Sequence, residues 1–157
     1  MTKWRQWRAL ARDDRRRLAH AAVLLAYARL RLPFLGFRPD RETAERAESA
    51  VPSLAALRRA QHVARLVAIA AAHSPMRVAC LHRSLVLWWL LRQEGIPCQL
   101  RLGTRAGAGP FEAHAWVQCA GVVLDQPAYV ARYRPFAEAV VPMGRAALGR
   151  LALRRAG

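Results

Sequence analysis

Residues 79–105 read ACLHRSLVLWWLLRQEGIPCQLRLGTR, and the fold turns on where the helix in this stretch begins and on the kind of segment it leads into. Leu81, Leu85, Trp88 and Trp89 cover one side of such a helix, and Leu87, Leu90 and Leu91 cover much of the rest. A helix that is apolar nearly all round belongs in the middle of a domain. Gly95 and then Pro97 are stop signals, so the spacing predicts a central helix over 80–94, with Cys80 at its start.

Toward the C-terminus the period changes from helical to alternating. CQLRLGTR (98–105) reads as a strand, AGAGP (106–110) as a loop, FEAHAWVQC (111–119) as a second strand, and VVLDQ (122–126) as its hairpin partner across Ala120-Gly121. A two-residue turn there pairs Cys119 with Val122, Val117 with Leu124 and Trp116 with Asp125, and sets His114 opposite Pro127. Period two then places His114, Trp116 and Asp125 on one face. A three-residue turn would flip one strand and destroy this arrangement. The expected class is α+β: a central helix packed on a small antiparallel sheet.

Toward the N-terminus, LAALRRAQHVARLVAIAAA (54–72) is helical, with Ser53 as N-cap and Ala56, Ala60, Val63, Val67 and Ala70 on one face. Residues 3–31 read as one or two amphipathic helices with arginines between the apolar positions, and Pro33, Gly36 and Pro39 break the pattern. PDRETAERAESA (39–50) reads as a short exposed helix. The expected organisation is one domain over 1–157, with a helical N-terminal region (1–52) and a catalytic core (53–157).

The basic N-terminus before LAHAAVLLAYA suggests a secretory signal. Asp13, Asp14, His20 and the arginines after Ala28 argue against one. Only 11 residues separate Arg17 from Arg29, whereas a membrane span needs about 20. The three cysteines, Cys80, Cys98 and Cys119, lack the spacing of a zinc site or a disulfide framework, so Cys98 and Cys119 are expected as small core residues in a reducing, cytoplasmic setting.

Cys80 is most often core filler when read alone, and a lone strand histidine or a turn aspartate is equally ordinary. Order and placement change the reading. At a helix start, free backbone N–H groups and the positive end of the helix dipole favour thiolate over thiol. A histidine on an adjoining strand, oriented by a carboxylate on the next, completes a Cys-His-Asp relay. Cys80, His114 and Asp125 are therefore the candidate catalytic residues, with the N–H of Cys80 as an oxyanion donor. His82 and Arg83 are helix-face residues, His82 within reach of a substrate. A metal site drawn from Cys80, His82, Cys98, His114 and Cys119 has poor spacing.

CLHRSLVLWWLLRQEGIPCQLRLGTR followed by FEAHAWVQCAGVVLDQP resembles the transglutaminase-like cysteine protease of lasso-peptide biosynthesis, maturation protein B in its separate-protease form. The likeness covers residues 78–127, about a third of the chain. Cys-Leu-His-Arg-Ser-Leu at the helix start, the Gly-Ile-Pro exit and Ala-His-Ala-Trp-Val carry it. The resemblance implies a transglutaminase-like, papain-like core that removes the leader from a ribosomally made precursor peptide without a cofactor. It also implies two partners beyond the precursor, a small leader-recognition protein and an asparagine-synthetase-like cyclase that closes the macrolactam. It gives Cys80 the nucleophile position, His114 the acid/base position and Asp125 the orienting position.

A formal charge of +16, from 26 Lys+Arg against 10 Asp+Glu, keeps a second class open: a non-enzymatic binder of nucleic acid or anionic surfaces, peripheral membrane contact included. MTKWRQWRAL interleaves Trp with Arg in the manner of such a binder, although no recognised nucleic-acid motif accompanies it. A third reading keeps the Cys-His-Asp chemistry and directs it to acyl transfer.

Overall fold

The computed structural model describes residues 10–35, 52–105, 111–124 and 127–135. Three helices, α1 (Arg12–Leu35), α2 (Leu54–Ala72) and α3 (Cys80–Gln93), pack on a four-stranded antiparallel sheet. Its strands are β1 (Gln99–Arg105), β2 (Ala113–Cys119), β3 (Val122–Val123) and β4 (Tyr133–Pro135), in the order β3-β2-β1-β4. A short helix α4 (Pro127–Val130) leads into β4. The α+β expectation holds.

The helix boundaries follow from local chemistry. Ser53 Oγ accepts the Ala56 N–H at 3.1 Å and caps α2, as the sequence predicts. At the exit of α3, Gly95 takes φ +69°, its N–H bonds Arg92 C=O, and the Ile96 N–H bonds Leu91 C=O. This is a Schellman stop, sealed by the buried pair Leu91 and Ile96. The break expected at Pro33 does not occur there, because α1 runs on to Leu35. A helix loses only one ladder bond to a proline in its last turn.

Arg17 of α1 and Arg59 of α2 both reach Glu94, the residue capping α3, at 3.4 and 2.8 Å. Partly exposed pairs of this kind add little stability, but they fix direction. With Arg17 at the end of α3 and Arg29 close enough to His82 to act on its charge, α1 runs antiparallel to α3. The later part of α1 thus flanks the start of α3.

The main core lies between the helices and one face of the sheet, where Leu25, Val67, Leu91, Val117 and Cys119 are almost fully buried. Trp88 joins this core, but Trp89 is 42 % exposed. The expectation of a helix buried on every side is corrected accordingly: α3 keeps one flank open, where His20 touches Trp89 edge-on. A second, smaller cluster of Trp116, Val130 and Tyr133 sits on the other face of the sheet.

The two-residue turn is present. Cys119 pairs with Val122 and Gln118 with Val123, and the Leu124 N–H bonds Val117 C=O. Ala120 and Gly121 both have positive φ, +46° and +80°, the requirement of a tight primed turn. The pairing does not extend to His114 and Pro127 as the hairpin reading expected. Pro127 opens α4 instead, since proline offers no N–H to a ladder and its fixed φ suits a helix start.

Cys98 and Cys119 form a disulfide, with Cα atoms 4.4 Å apart. This corrects the reading of them as separate core thiols. The register Gln99 to Gln118 places Cys98 directly opposite Cys119, at the close spacing of a non-hydrogen-bonded antiparallel pair. The wide sequence separation of 21 residues concealed it.

Candidate active site

Cys80 is the first residue of α3, a free, half-buried thiol. Ala79 at the N-cap has no side-chain acceptor, and the first helical bond runs from Arg83 N–H to Ala79 C=O. No capping side chain therefore competes for the N–H groups of the first turn, and these groups attract an anion.

Two bonds fasten α3 to the sheet along the stripe that Cys80 begins. One turn on, the buried Ser84 donates its hydroxyl to Ala115 C=O at 2.8 Å. One turn further, Trp88 donates its indole N–H to Cys98 C=O at 3.1 Å, and the Arg92 guanidinium lies over the Trp88 ring at 4.8 Å. Residues four apart share a helix face. Ser84 meets Ala115, whereas Trp88 meets the Cys98 end that pairs with Cys119, so α3 runs along β2 in the same direction. Cys80 lies one turn before Ser84, about 6 Å, and so toward the end of β2 that carries His114.

His114 is 7 % exposed. Alternation along β2 sends Val117 and Cys119 to the helix-side core and Trp116 to the second cluster, so His114 shares the face of Trp116. Its ring lies 5.0 Å from Tyr129, 5.1 Å from Tyr133 and 6.3 Å from Trp116. Cys80 thus lies toward the end of β2 that carries His114, while the imidazole itself projects from the tyrosine-bearing face of the sheet, opposite the face on which α3 packs. Asp125 lies outside the described residues, as do residues 3–9 and the segment 39–50.

His82 is held below the ordinary histidine value of 6.5 by burial and then by the Arg29 charge. Its Nδ1 is buried without a hydrogen-bond partner among the described residues. A neutral ring satisfies both observations. No group of three His, Cys, Asp or Glu side chains among the described residues is arranged to hold a metal, and the disulfide takes two members of the set drawn from sequence.

Residues 21–138 match the family described as the transglutaminase-like superfamily, well over half of the chain. The chain belongs to the transglutaminase-like superfamily. Its core joins a helix that starts on a cysteine to an antiparallel sheet that carries a histidine. Transglutaminase-like enzymes form a cysteine-protease and acyltransferase class, and this chain is an enzyme of that general kind. No curated protein and no solved structure matches the chain.

Sequence reasoning missed Ser84 and the tyrosine pair in this transglutaminase-like core. Ser84 did carry a signal, a small hydroxyl four residues after Cys80 inside an apolar run. The tyrosines carried none, because α4 and β4 bring them back to β2 only in three dimensions.

Proposed function

We propose that this chain is a cysteine leader peptidase that removes the leader from a ribosomally synthesised lasso-peptide precursor, so that a cyclase can close the macrolactam. One observation carries the reading. Cys80 opens an uncapped helix whose Ser84 is bonded to β2 at Ala115, the neighbour of His114, inside a transglutaminase-like core. The Cys-Leu-His-Arg-Ser-Leu and Ala-His-Ala-Trp-Val motifs supply the finer assignment.

In this mechanism the Cys80 thiolate attacks the scissile carbonyl carbon, and the N–H of Cys80 donates to the developing oxyanion. The C–N bond breaks as His114 gives its proton to the leaving amine, the new amino terminus of the core peptide. Water, deprotonated by His114, then attacks the leader thioester and returns the thiolate. Asp125 orients the imidazole. The relay requires sulfur and imidazole to lie within hydrogen-bond reach when substrate is bound, a contact that apo enzymes often leave loose.

The outer face of α1 supports a role in binding the precursor or the leader-recognition protein. Val23, Tyr27 and Leu30 follow one another at helical spacing and are 66, 55 and 63 % exposed, with Arg29 and Arg31 exposed beside them. The antiparallel run of α1 against α3 carries this stripe toward the Cys80 end.

The test is cleavage of a lasso precursor by purified protein with its leader-recognition partner. Cys80→Ala and His114→Ala are expected to lose about 10³-fold or more of the rate, and Asp125→Ala a smaller factor. Full cleavage by the Cys80 or His114 variant would sink the mechanism. Resolution of the acyl-enzyme by an amine rather than by water would favour the acyltransferase reading. Salt-sensitive nucleic-acid binding without any peptidase activity would favour the basic-binder reading.

A further inference from the structure

The face of β2 that bears His114 is built more elaborately than core packing needs. Tyr133 on β4 and Tyr129 on α4 both touch the imidazole, one ring tilted at 31° to it and the other nearly perpendicular at 81°. The two tyrosine hydroxyl oxygens are 2.8 Å apart, and the Tyr133 oxygen lies 3.2 Å from Glu112 Oε2. A hydroxyl has one proton to give. The arrangement that satisfies every group has Tyr129 donating to Tyr133 and Tyr133 donating to Glu112, whose carboxylate is also 3.3 Å from Arg105 Nη1. Bonding to Tyr129, then burial and Glu112, push the Tyr133 hydroxyl above its usual range, so it stays protonated wherever the enzyme works.

The backbone makes room for this cluster at one residue. Gly103 on β1 stands opposite both His114 on β2 and Pro135 on β4. A Cβ there would clash with Arg134 O and fall 2.9 Å from the Trp116 ring. Glycine is therefore what lets β4 close on β1 and carry Tyr133 to the histidine.

We propose that Tyr129 and Tyr133, tied to Glu112 through their hydroxyls, are the positioning residues of His114. Two rings in contact with the imidazole, and fixed to each other, restrict its rotation. Their π systems also favour the imidazolium that arises when the thiol proton passes to His114. Burial alone would disfavour that charge. Among the described residues, the charged and titratable groups on this face are Arg101 and Arg105 from β1, Glu112 from the approach to β2, Tyr129 from α4 and Tyr133 from β4.

This inference rests on His114 serving Cys80, so the experiment separates the two claims. The readout is the pH dependence of Cys80 alkylation by iodoacetamide in the full-length protein, which needs no peptide substrate. His114→Ala is expected to abolish the alkylation step seen at mildly acidic to neutral pH. If it leaves that profile unchanged, the relay itself fails. With the relay intact, Tyr129→Leu and Tyr133→Leu are expected to slow alkylation at pH 6 by about tenfold and to move the profile toward that of His114→Ala. Tyr129→Phe and Tyr133→Phe, which keep the rings and cut the hydroxyl chain, are expected to show a smaller shift in the same direction. Leucine variants that fold, lose thermal stability and keep the wild-type profile would overturn the proposal. Should they fail to fold, the phenylalanine variants decide, together with side-chain NMR of the wild type. Nuclear Overhauser contacts from both tyrosine rings to the His114 ring are expected, and their absence would overturn the positioning role.

Discussion

Ser84 links the reactive end of α3 to the sheet. Its hydroxyl gives the Ala115 carbonyl a bond from the helix side in a place closed to water, and the loss of one partner of a buried bond costs about 1–3 kcal/mol. Ser84→Ala is therefore expected to lower unfolding free energy by that amount in urea titrations. It is also expected to slow Cys80 chemistry, because the helix start loses its nearest anchor to the strand of His114. A fully stable Ser84→Ala protein would show that the bond contributes nothing. At this scale the sequence was legible for residues whose role depends on position along one element. Cys80 is readable as a helix start because Gly95 and Pro97 mark the other end of the same helix. Tyr129 and Tyr133 were not, since their partner His114 comes from a different strand and no local pattern announces the meeting.

The β2–β3 hairpin was legible as an element because Ala120-Gly121 leaves few turn geometries open. Ala120 nevertheless sits at φ +46°, a conformation that costs an L-residue with a Cβ about 1 kcal/mol or more. Ala120→Asn, a residue this turn prefers, is expected to raise stability by about 1 kcal/mol and the melting temperature by about 2–4 °C. An unchanged or lowered melting temperature would contradict the turn assignment. The hairpin's far end was not legible, because Pro127 starts a helix where alternation alone continues a strand. The disulfide escaped for a related reason: Cys98 and Cys119 become neighbours only once the register of β1 on β2 is known. Alkylation of the unreduced, denatured protein is expected to label one cysteine, Cys80, and reduction to expose two more. Three labelled cysteines before reduction would contradict the pairing. Its removal by Cys98→Ala with Cys119→Ala is expected to cost about 3 kcal/mol.

Among the described residues, the outer face of α1 is a long exposed surface that packing within the helices and the sheet does not use. No described helix is long and apolar enough to cross a membrane. An exposed stripe of Val23, Tyr27 and Leu30 beside Arg29 and Arg31 suits a peptide or protein partner with apolar and acidic residues. Tyr27→Glu with Leu30→Glu is expected to weaken partner-dependent precursor cleavage by about tenfold or more, while iodoacetamide labelling of Cys80 stays at the wild-type rate. Equal cleavage by that variant would remove α1 from the binding surface. The total charge of +16 told less than this one face, because it is summed over the chain and carries no direction.

The proposed mechanism stands or falls on Cys80 taking the leader as an acyl group. Rapid acid quench of protein, leader-recognition partner and precursor, followed by intact and peptide mass spectrometry, observes that step itself. A hydroxylamine-sensitive adduct on Cys80, equal in mass to the leader acyl group, is expected to form as free core peptide appears and to be lost in Cys80→Ala. Leader release at the wild-type rate by Cys80→Ala, or an adduct on any other residue, would contradict the mechanism.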